Sequence, residues 1–137
     1  MKQHTTNYKN TFIEVAEDCP VSMAQIPPEK NVKTLANLQY EMISKNPYRY
    51  SSDDIIFECH SIKNDISESE KTEERNRFFS KGQACLRASP LAKRYGFGIH
   101  HDQGGRVALY PMESEDYQKF LTDDSVTKIK AMRSKRK

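Results

Sequence analysis

Arg87 stands two residues before Ser89-Pro90, a hydroxyl followed by proline, the usual opening of a helix. A helix start offers free backbone N–H groups and positive potential, and an arginine offers a fork of donors. Both suit phosphate or carboxylate oxygens. With Lys93 and Arg94 close behind, the residues Arg87, Ser89, Lys93 and Arg94 are the candidate seat of an anionic ligand. The competing reading is a capped helix whose Arg87 pairs with a structural carboxylate. Cys85, two residues upstream, is a candidate nucleophile, because an imidazole beside a thiol lowers its pKa. The candidate imidazoles are His100 and His101, at the end of a strand. Adjacent strand residues point to opposite faces, so these two do not share one ligand. Without such a pairing, cysteines behave as small hydrophobes.

Other motifs point to less. No CxxC or HxxxH spacing occurs, and no helix places two of His60, His100 and His101 four residues apart, so no metal site is expected. The sequence names no cofactor. GxSxG, Walker and dinucleotide fingerprints are missing, and Gly104-Gly105 lies between two strands, where it makes a turn and not a phosphate loop. Tyr48, Arg49 and Tyr50 interleave aromatics with a cation, which suits stacking on a flat ligand. The pattern fits core packing better.

The elements that must position these groups follow from periodicity. Thr11–Ala16 alternates as a strand, and Val32–Lys45 repeats its apolar residues at helical spacing. The run from Ile55 to Ile62 is rich in β-formers and reads as a second strand. Ser67–Lys81 reads as a helix, residues 83–87 as a short strand, and Pro90–Arg94 as a short helix. Strands at 97–101 and 106–110 flank a hairpin loop, and Ser114 caps a helix reaching Leu121. A helix is expected around 126–132. The hairpin excludes a purely parallel sheet. The expected class is α+β: a mainly antiparallel sheet with helices packed on one face, in a single compact domain.

The opening HTTNYKNTFIEVAEDCP, the middle LQYEMI and NPYRYSSDD, the long FFSKGQACLRASPLAKRYGFGIHH, then VALYPMESEDY and KAMRSKRK together resemble a bacterial family of unknown function. The resemblance covers nearly the whole chain. It implies a stand-alone bacterial cytoplasmic domain and brings no activity, ligand or catalytic residue with it.

The 137 residues argue for one domain, large enough for a core without disulfide staples. Cys19, Cys59 and Cys85 form an odd set with no close pair and no export signal, which reads as free thiols in the cytoplasm. No stretch is apolar enough to span a membrane. The net charge of +3 conceals an asymmetry. Residues 125–137 carry Lys128, Lys130, Arg133, Lys135, Arg136 and Lys137 and no acid, so the rest is net acidic. The chain therefore divides into a domain, 1–124, and a basic C-terminal tail, 125–137.

Three functions fit. The first is a domain binding a small anion at Arg87. The second is a nucleic-acid accessory protein whose tail makes weak, non-specific, salt-sensitive contacts. The third is a cysteine/histidine enzyme. Either a monomer or a homodimer is compatible with a small sheet of this kind.

Overall fold

The computed structural model describes residues 4–134. The part of the basic tail formed by Lys135, Arg136 and Lys137 lies outside the described residues. The elements run β1 (Thr11–Glu14), α1 (Leu35–Lys45), α2 (Ser52–Lys63), α3 (Lys71–Phe78), α4 (Pro90–Lys93), β2 (Phe97–His101), β3 (Val107–Pro111), α5 (Glu115–Thr122) and β4 (Thr127–Lys130). One-turn 3-10 helices precede α3, at Glu68–Glu70, and α4, at Leu86–Ala88.

The four strands form one sheet in the order β3-β2-β1-β4. β2 pairs antiparallel with both β1 and β3, while β4 runs parallel to β1. The fold is α+β in a single compact domain, with a mixed sheet. β4 corrects the expected helix at 126–132. In residues 127–130 the chain alternates Thr-Lys-Ile-Lys, and its register with β1 sets Ile129 opposite Ile13.

The segment Ile55 to Ile62 is helix α2, not the strand its β-formers suggest. Its start explains this. Ser51 accepts from the Asp54 N–H, and the Asp54 carboxylate accepts from the Ser51 N–H, a reciprocal cap that fixes a helix entry. Asp53 and Asp54 sit in the first turn, where the helix dipole favours acids. Residues 83–87 form no strand; an irregular stretch leads into the 3-10 turn at Leu86–Ala88. α1 starts at Leu35 because Thr34 caps it through Asn37.

Alternation along the strands divides the core. Ile13, Ile99, Val107 and Phe97 face α1, α2 and α4, where Ile43, Ile55, Cys59, Leu86 and Leu91 complete the main cluster. Phe12 faces the other way, into a smaller cluster with Tyr117 and Val126. Helix α5 therefore covers the second face, so the helices are not confined to one. Gly98 allows this close approach, since a Cβ there would lie 2.4 Å from Phe12 and 2.6 Å from Tyr117. Among the described residues, no helix is long and apolar enough to cross a membrane.

Candidate functional site

Leu86 is fully buried and pins the irregular segment between α3 and α4 to the core. Its neighbours are thereby turned outward on different sides. The stretch from Gln83 to Ser89 borders three separate hollows.

Arg87 faces a hollow of about 260 Å³ shared with Glu17, Lys130, Ala131, Met132 and Arg133. A two-way clasp fixes it there. Arg87 Nε donates to the Lys130 carbonyl at 2.8 Å, and the Met132 N–H donates to the Arg87 carbonyl at 2.9 Å. Among the described residues no carboxylate pairs with the guanidinium. Glu17, the acid of the hollow, is engaged by Lys130 Nζ at 3.3 Å. The anion-seat residues are thus only partly brought together. Ser89 is buried on the opposite side, donating to the Gln39 side-chain oxygen and accepting from the Leu91 N–H to cap α4. Lys93 and Arg94 end α4 and do not line Arg87's hollow. The cations that line it beside Arg87, Lys130 and Arg133, come from the basic C-terminal segment. The alternation of a four-residue strand is too short a signal to reveal that meeting.

Cys85 is half-buried between the other two hollows. Its sulfur lies 3.2 Å from the Tyr8 hydroxyl, and burial together with the Cys85 contact pushes that phenol up to about 12. Tyr8 belongs to a strap, His4 to Asn10, that crosses α2's N-terminus. Thr5 Oγ1 donates to Asp53 Oδ2, and Thr6 donates to Asp53 Oδ1 through both N–H and hydroxyl, each at 2.7 Å. The Asp53 N–H donates to Asn7 Oδ1 at 2.9 Å. The strap, the Cys85–Tyr8 contact and the Asp53 knot were not signalled by spacing, because residues separated by 46 to 77 positions meet only in the fold.

The expected thiol–imidazole pairing takes a different form. His101 lies beyond Tyr8, whose ring meets it edge-on with centroids 5.4 Å apart. His101 is fully buried, neither ring nitrogen has a hydrogen-bond partner among the described residues, and burial lowers its pKa to about 4. His100 is on the opposite face, as alternation requires. Its Nδ1 meets the Tyr48 hydroxyl at 2.8 Å, Tyr48 meets the Tyr110 hydroxyl at 2.6 Å, and its ring stacks on Phe120. Burial lowers its pKa as well. Tyr48 packs into this network and holds a left-handed backbone, φ 59°. That leaves Cys85 with Tyr8 as its hydrogen-bonding neighbour.

Cys59 is buried, which pushes its thiol up to about 12. All three cysteines are free. Among the described residues no cluster of three or more His, Cys, Asp or Glu side chains is placed to hold a metal.

No curated protein and no solved structure matches the chain. Residues 3–137 do match a family described as a family of unknown function (DUF6157), and the chain belongs to it.

Proposed function

We propose that this is a cytoplasmic domain that binds a small phosphate- or carboxylate-bearing molecule, seated between Arg87 and the 130–133 segment. The observation carrying this reading is the clasped guanidinium. Arg87 is held by a backbone carbonyl and not by an acid, beside Lys130 and Arg133. An arginine fixed through Nε keeps its terminal nitrogens for a ligand, and two-point donation suits planar or tetrahedral anions. Free thiols support the reducing compartment.

Titration of the full chain with inorganic phosphate and pyrophosphate, followed by calorimetry, tests the seat. Arg87→Ala is expected to weaken binding at least about tenfold. Arg94→Ala, on an exposed residue outside the hollow, leaves it unchanged. Equal binding by the wild type and Arg87→Ala overturns the proposal, as does an absence of anion binding altogether. The nucleic-acid alternative is tested on the same protein. Weak, non-specific binding to a single-stranded oligonucleotide with a steep salt dependence, reduced by Lys128→Gln and Arg133→Gln, together with no binding of phosphate or pyrophosphate, replaces the small-anion reading. Those substitutions are preferable to cutting after Asp124, which would remove β4 from the sheet.

A further inference from the structure

On the side of the 83–89 segment away from Arg87 lies a second hollow, of about 250 Å³, walled by α1, α2 and the end of α3. Much of its wall is apolar: Leu35, Ile56, Phe78, Ala84 and Ala88, with the Cys59 and Cys85 sulfurs. No carboxylate lines it, and Lys63 is its cation.

Its other polar residues are His60, Gln83, Gln39 and Ser89. Gln39 is only 4% exposed, on a helix packed against the sheet. Its side-chain oxygen accepts the Ser89 hydroxyl proton. Its Nε2 has no acceptor among the described residues. That nitrogen is also not sealed in protein, since among the described residues the fully enclosed and unpartnered side-chain nitrogens are those of His101. Gln39 lines the hollow, so its unpartnered N–H donors are open to an acceptor that enters there. A donor so far buried costs free energy unless an acceptor reaches it. Ser89 cannot supply one, because its hydroxyl is already committed to Gln39 and to the Leu91 N–H.

We infer that this hollow binds a compact monocarboxylic acid with an apolar body. One carboxylate oxygen accepts from Gln39 Nε2, and the apolar body packs against Phe78, Ala84 and Ala88. Lys63 favours the acid over its neutral analogues by charge. The volume is below that of hollows holding drug-sized ligands, so the acid is short. Cys85 lies in the same wall, so a seated acid shields its sulfur from this side and leaves the approach beside Tyr8 open. This site shares the 83–89 segment with the Arg87 seat but no lining residue with it.

The test uses the full chain labelled with 15N. Hexanoate is expected to move the Gln39 side-chain NH2 resonances saturably and to slow alkylation of Cys85, while hexan-1-ol at the same concentration does neither. Gln39→Glu keeps an acceptor for Ser89 and sets a carboxylate against the ligand's. It is expected to weaken hexanoate binding, read by Cys85 protection, by at least about tenfold. Ala88→Leu fills the hollow and leaves Gln39 and Ser89 in place; it is expected to abolish the resonance shift. Arg87→Ala leaves the hexanoate-induced shift of the Gln39 resonances unchanged, so failure of the phosphate seat is separable from failure of this site. Gln39 resonances that stay fixed under hexanoate overturn the inference, as do equal shifts with hexan-1-ol or full binding by Ala88→Leu.

Discussion

His100 and His101 are neighbours in the chain and nearly opposites in environment. His100 is half-buried on the α5 face, hydrogen-bonded to Tyr48 and stacked on Phe120. His101, on the other face, is sealed, with no hydrogen-bond partner for either nitrogen among the described residues and Tyr8 against its edge. One step along a strand reverses the side chain, so the same residue type becomes a network member on one side and an orphan in the core on the other. The difference teaches that histidine adjacency in a strand carries little chemical information until the two faces are known.

Acid is the strongest way to separate the pair. His101 is neutral in the folded chain, with a pKa near 4, and takes up its proton at the ordinary value of 6.5 once unfolded. The unfolded state then binds more protons across that window, so stability present above pH 6.5 is lost as pH falls toward 4. Burial is the main cause; the nearby Ile99 and Thr11 backbone carbonyls and the Asp102 carboxylate ease protonation, and His100 opposes it. The loss is about 3 kcal/mol. Urea denaturation across this range is expected to show the fall in the wild type and a markedly flatter curve in His101→Leu. Equal slopes would refute the sealed imidazole.

Gly98 probes the α5 face of the same strand. Gly98→Ala would drive a methyl group into Phe12 and Tyr117, both packed against their neighbours. Overpacking of this kind costs about 2 kcal/mol, to be read as a lower thermal midpoint with His101's acid response intact. The smallest effect is expected from Tyr48→Phe, which removes the hydroxyl joining His100 to Tyr110. The expected cost is about 1 kcal/mol, and the His100 imidazole signals in NMR should move while those of His101 stay in place.

Legibility in the sequence depended on whether a signal was local. Ser89-Pro90, Ser114 and the hairpin loop placed α4, α5 and the β2–β3 pair, since caps and turns act within a few residues. The sequence of helix α2 reads as a strand because the helix is covered on more than one side. Ile55, Phe57, Cys59 and Ser61 are all buried, an alternation that imitates a strand and erases the single apolar stripe of a surface helix. The signal that would have corrected it was Ser51 followed by Asp54. The candidate sites were half legible. Arg87, Cys85 and Ser89 stand within one short segment, but the residues opposite them, Lys130 and Arg133, Tyr8, and Gln39, come from three distant parts of the chain. Long-range pairing of this kind leaves no periodic trace.

The parallel pairing of β4 with β1 has a consequence for synthesis. Every other element lies between these two strands in sequence, yet they are adjacent in the sheet. Until residues 127–130 emerge from the ribosome, β1 presents an unpaired flank of backbone donors and acceptors. Such a flank invites association with other nascent chains. Completion of the sheet must therefore wait for β4.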